Sequence, residues 1–147
     1  MVDGLLGWWK ERKRERSDVK RLVLNLDNGP ECSGRRPQFL QRMVACVGRT
    51  GLEVRMIYYP PYHSKYNGIE RYWAGLEKSW NGYVLDNVNT VVNRAGNFAW
   101  KGVRATVHLL KAAYEQGIKV CGKERAEMEQ HLHRCERLPF YDITICR

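Results

Sequence analysis

Residues 20–30 read KRLVLNLDNGP and residues 52–61 read LEVRMIYYPP, and the relation between these two stretches decides the fold. In the first, Leu22, Leu24 and Leu26 alternate with Arg21, Val23 and Asn25, the period of a strand with one strongly apolar face. An Asn-Gly-Pro turn closes it and leaves Asp27 at its C-terminal end. The second is another strand, broken by Pro60 and Pro61, which have no N–H to give to a ladder. Between them Phe39, Leu40, Met43, Val44 and Val47 follow helical spacing, with Pro37 acceptable in a first turn and Gly48 and Gly51 marking the exit. Crossover helices are what parallel strands require, so the order strand, helix, strand predicts an α/β fold with a sheet covered by helices.

Working outward, Leu5, Leu6, Trp8 and Trp9 begin an amphipathic helix that runs into the solvated charge run KERKRERSD at 10–18. On the other side, Ile69, Tyr72, Trp73, Leu76 and Trp80 share one helix face, with Ser64 as the expected N-cap and Glu70 beside the face. That aromatic face is expected to be mostly core, with base stacking the minority reading. Farther along, Val88, Val91 and Val92 have helical spacing behind Asp86 as a cap. VRATVHLL at 103–110 alternates like a strand, KERAEMEQHLHRC at 123–135 reads as a polar helix, and YDITI at 141–145 as a short strand. The expected organisation is a core over 1–100 and, over 101–147, an extension of the same domain.

Composition narrows the class. The chain has 147 residues, enough for one domain with its own core, and 25 Lys plus Arg against 16 Asp plus Glu, a formal charge of +9. That excess favours a polyanionic partner, since each neutralised phosphate releases counterions. No run approaches the length of a membrane span, and the start has the reverse of a secretory signal's charge order, so a cytoplasmic protein is expected. Five cysteines at irregular spacing suit reduced thiols better than a disulfide framework. His131, His133 and Cys135 invite a zinc reading, but no Cys-x-x-Cys pair accompanies them.

In open sheets functional groups collect beyond the carboxyl ends of the strands, where Asp27 sits, and the turn after Tyr59 carries Glu70 toward the same edge. Two carboxylates on a basic protein are the hard oxygen ligands Mg²⁺ takes while keeping water and substrate phosphate in its remaining positions. Paired ions of this kind activate an attacking oxygen and stabilise a leaving one in phosphodiester displacement. The plain alternative is an ordinary Asp-Asn-Gly turn and a surface glutamate.

LVLNLDNGPE, LEVRMIYYPPYHSKYNGIERYWAGLEKSWNG, GVRATV and YEQGIKV together resemble the DDE transposases of bacterial insertion sequences, specifically the ISAzo-thirteen-type (Rhodopirellula-type) domain. The specific part is the block Pro60, Pro61, Ser64, Lys65, Asn67, Ile69 and Glu70 after a strand that ends in Asp27. The likeness runs from VDGLLGWW at 2–9 to YDITI. It implies a ribonuclease-H-like fold in which three acids hold two divalent ions, Mg²⁺ or Mn²⁺, with Asp27 as second acid and Glu70 as third. The expected reaction is hydrolysis of DNA at the ends of an insertion sequence, then attack of the freed 3′-hydroxyl on target DNA.

In the family the first aspartate lies on the opening one of three strands that precede the helix at VDGLLGWW. Asp3 and Asp18 flank that helix and do not replace it. The chain is therefore expected to be a truncated, C-terminal part of the catalytic domain, a partial core lacking the first three strands. An unpaired sheet edge, an uncovered apolar face and little activity in isolation are expected to follow. Arg35, Arg36, Lys65 and Arg71 are the expected phosphate contacts, with a plain solvated turn the alternative for Arg35 and Arg36. Asn67, one turn before Glu70, is expected to orient a water or that carboxylate, and His63 departs from the family pattern. The competing class is a non-catalytic, basic DNA-binding remnant, or a regulatory fragment that pairs with a second copy or with full-length transposase.

Overall fold

Alternation at 21–26 and 53–58 does become strand. In the computed structural model, which describes residues 1–60, 66–111 and 118–147, β1 (Arg21–Leu26) and β2 (Glu53–Tyr58) pair in parallel, Leu22 opposite Val54 and Leu26 opposite Tyr58. The crossover between them is α2 (Pro37–Thr50), with Pro37 in its first turn. It runs through Gly48 and stops at Gly51, whose φ of 71° is the left-handed geometry that ends helices and that glycine adopts without strain.

The sheet is completed from far along the chain. β6 (Asp142–Ile145) pairs antiparallel with β2, and β5 (Leu132–Arg134) with β6, giving the order β1-β2-β6-β5. The polar segment 123–135, expected as one helix, is thus divided. Its helix, α5 (Gly122–Glu129), ends with Met128 buried, and Leu132 is drawn into strand pairing opposite Ile145. A tertiary ladder outweighs the weak helical preference of HLHRC.

Period 2 sorts the sheet's faces. Leu22, Leu24 and Leu26, with Val54, Met56, Tyr58, Ile143 and Ile145, face one core that also takes Phe39, Leu40, Met43, Cys46 and Val47 of α2 and Val2 of α1 (Val2–Arg12). Met43, Met56, Ile143 and Ile145 have no exposed surface. The charge run at 10–18 is exposed throughout, as its composition predicts. The opposite face is polar. Arg21 pairs with Glu53, and Arg55 makes a two-pronged contact with Asp142 at 2.9 and 2.7 Å. That guanidinium holds the Asp142 carboxyl below the usual carboxylate range, chiefly through these hydrogen bonds.

β1 is an edge strand. The carbonyls of Lys20 and Leu26 accept from Glu53 and Tyr59, so in a parallel ladder the main-chain groups of Arg21, Val23 and Asn25 point away from β2 and find no strand among the described residues.

The chain divides into two compact units, Met1–His63 with Gly117–Arg147, and Ser64–Gln116. The first holds the four-stranded sheet. In the second, α3 (Gly68–Ser79) and α4 (Val88–Gly96) accompany a hairpin of β3 (Ala99–Trp100) and β4 (Val103–Arg104). Lys101 and Gly102, both at positive φ, supply the two-residue turn whose twist matches paired strands. The strand expected over 103–110 stops at Arg104 because the partner strand is two residues long. α4 is capped by Asn87, whose side chain accepts from the Thr90 N–H at 2.8 Å, rather than by Asp86, which accepts instead from the Thr90 hydroxyl.

Aromatic edges hold the second unit together. Tyr72 meets Phe98 and Trp100 edge-on at centroid distances of 5.2 and 6.1 Å, and Gly75 leaves room for the Trp100 ring against α3. The hairpin covers only this side of α3. Leu76 is buried and Tyr72 and Trp80 are half-buried, but Trp73 is 53% exposed and departs from the expectation of a mostly core face, and Ile69 beside it is exposed too. Among the described residues no helix is long and apolar enough to cross a membrane.

Candidate active site

Asp27 directly follows the last residue of β1, as the alternation predicts, and is exposed there. The loop behind it is tied down from several sides. The buried Cys32 thiol lies 3.2 Å from the Asp27 main-chain oxygen and 3.4 Å from its Oδ1. The Tyr58 hydroxyl at the end of β2 donates to the Cys32 carbonyl at 2.6 Å. Burial pushes the Tyr58 phenol far above its ordinary range, so it remains a neutral donor. Burial first, and the Asp27 carboxylate second, push the Cys32 thiol up as well.

Two of the expected DNA contacts belong to this loop. Arg36 donates to the Pro30 carbonyl at 2.7 Å, and the Arg35 guanidinium lies 4.2 Å over the Phe140 ring, a cation–π contact. Arg134 of β5 donates to the carbonyls of Gly34 at 3.3 Å and Pro139 at 2.9 Å. Gly34 itself is required, since a Cβ there would overlap the Phe140 carbonyl oxygen. These main-chain ties were not legible in the sequence, because their partners lie up to a hundred residues away.

Glu70, Asn67 and Arg71 belong to the other unit and sit together at the start of α3. Asn67 is the N-cap, its side-chain oxygen accepting from the Ile69 N–H at 3.4 Å, so the cap expected at Ser64 falls three residues later. Ser64, Lys65, Pro61 and His63 lie outside the described residues. Glu70 occupies the first helical turn, where the helix dipole favours a negative charge, and it is exposed, as is Arg71.

Neither candidate acid is paired with a basic side chain among the described residues. Both are hard oxygen donors open to solvent, a donor chemistry that fits Mg²⁺ or Mn²⁺. Among the described residues no three His, Cys, Asp or Glu side chains cluster as a complete cation site. His131, His133 and Cys135 fall on and beside strand β5 rather than on the helix expected for them.

The whole chain, residues 1–147, matches the Rhodopirellula transposase DDE domain. The chain belongs to this transposase family. No curated protein and no solved structure matches it.

Proposed function

We propose that this chain serves DNA transposition through a ribonuclease-H-like core, with Asp27 and Glu70 as ligands for divalent metal. The observation that carries the reading is the exposed Asp27 carboxylate at the C-terminal end of β1, in a chain whose whole length matches a transposase DDE family. Mg²⁺ or Mn²⁺, when bound, supplies a lowered pKa for water and charge stabilisation for the departing oxygen. The protein's part is to hold carboxylate oxygens outward and keep DNA phosphates near them. Arg35, Arg36, Lys65, Asn67 and Arg71 are the proposed DNA contacts, and the reaction is a cytoplasmic cleavage at element ends followed by strand transfer. The test is divalent-dependent nicking of end-sequence DNA by the full gene product. Asp27→Asn and Glu70→Gln are each expected to abolish it, and retained nicking in both variants would falsify the assignment.

A second reading, non-catalytic binding of DNA or of another copy, is favoured by the formal charge of +9 and by the open edge of β1. It predicts affinity that falls steeply with salt and does not change when divalent ions are removed.

A further inference from the structure

Asp27 sits at a turn and is exposed, so nothing in β1 itself fixes its side chain. What touches it is Cys32, five residues on and only 8% exposed, whose single S–H is shared between the Asp27 main-chain oxygen at 3.2 Å and Oδ1 at 3.4 Å. The thiol is placed from outside the turn: its main-chain carbonyl accepts from the Tyr58 hydroxyl, and that ring is itself buried in the core under the sheet. The chain of contact therefore runs from β2 through Tyr58 and Cys32 to one carboxylate oxygen. The other, Oδ2, has no hydrogen-bond partner among the described residues, and even a Cβ added at Gly29 would come no closer to it than 3.9 Å.

We propose that Cys32 is a positioning residue for Asp27, its thiol holding Oδ1 inward so that Oδ2 is presented outward to a divalent cation. The inference rests on the reading of Asp27 as a metal ligand. The choice of donor has a physical logic. An Arg or Lys in this place would neutralise the carboxylate and compete with the cation, whereas a neutral S–H is a weak donor that orients the group and leaves its charge. Groups behind a metal ligand commonly tune affinity in this way.

The probe is Mn²⁺ alone, titrated into the full chain while paramagnetic broadening of the Asn28 and Gly29 amide signals is followed. Asp27→Asn is expected to abolish the local broadening. Cys32→Val, which keeps the apolar volume and removes the donor, is expected to weaken apparent Mn²⁺ affinity about tenfold, the lower end of the range for residues behind a metal ligand. Cys32→Ser, which restores a donor, is expected to recover most of that loss. A purely packing role would give the opposite order, with valine better than serine. Wild-type affinity in Cys32→Val, or a serine variant as weak as the valine one, overturns the positioning role while Asp27→Asn still loses the ion. Unchanged broadening in Asp27→Asn instead overturns the metal reading, and the positioning role falls with it.

Discussion

The sheet unit and the helix–hairpin unit are built from the same kinds of residue and end up differently buried. In the first, α2 and the sheet bring Met43, Met56, Ile143 and Ile145 to zero exposure, and every strand contributes to one cluster. In the second, Leu76 alone among the residues of α3 and α4 is buried, and cohesion comes from ring edges between Tyr72, Phe98 and Trp100. The difference teaches that an apolar helical stripe states what a helix can bury, and the size of the covering element decides how much is buried. A hairpin of two-residue strands covers the Tyr72 and Gly75 side of α3 and leaves Trp73 outside.

The largest effect should come from the sheet. Met56→Ala removes a fully buried side chain from the central strand and should cost about 2–5 kcal/mol, read by urea unfolding. Tyr72→Ala loses three edge contacts, with Trp73, Phe98 and Trp100, on a half-buried ring and should cost only about 1–2 kcal/mol. Equal losses would break the comparison and mean that the second unit is as tightly built as the first.

Two glycines sharpen the same contrast at smaller scale. At Gly34 the obstacle is the Phe140 backbone, which cannot move away, so Gly34→Ala should destabilise by about 1–3 kcal/mol. At Gly75 the obstacle is the edge of the Trp100 ring at 2.8 Å, a half-buried side chain able to turn. Alanine also gains about 1 kcal/mol of helix propensity there, so Gly75→Ala should be near neutral in stability and visible instead as altered tryptophan fluorescence. A large loss at Gly75 would show the aromatic cluster to be rigid.

The smallest effect belongs to the solvent-facing side of the sheet. Asp142 has its folded pKa depressed by Arg55 below the ordinary 3.8, so the pair's contribution is present above that value and lost as pH falls through the depressed one. Melting temperature should therefore drop more on acidification to about pH 2 in the wild type than in Arg55→Met. Identical drops would mean the pair contributes nothing measurable, as many exposed pairs do.

Much of the first unit was legible locally. Leu22, Leu24 and Leu26 announce β1, the 3.6-residue spacing from Phe39 to Val47 announces α2, and Pro60 falls where β2 has ended. The local placement of the two proposed acids was legible as well, Asp27 at the end of the alternation and Glu70 near the start of the next helix. The cap of α3 was read at Ser64 and lies at Asn67, since both residue types cap helices and only the helix's actual start chooses between them. The helix read across 123–135 failed at Leu132: its partner strand at 141–145 was visible, and the pairing that draws Leu132 to Ile145 was not.

By itself, then, the sequence determined the order strand–helix–strand, the apolar face of each element and the place of Asp27 at a strand end, because hydrophobic period and turn chemistry act over a few residues. Tertiary structure alone decided that β6 and β5 extend the sheet beyond β2, that Trp73 stays exposed, and that Cys32 and Tyr58 stand behind Asp27. Those contacts join residues the local pattern cannot relate, and a periodicity that names a buried face carries no information about which distant segment will cover it.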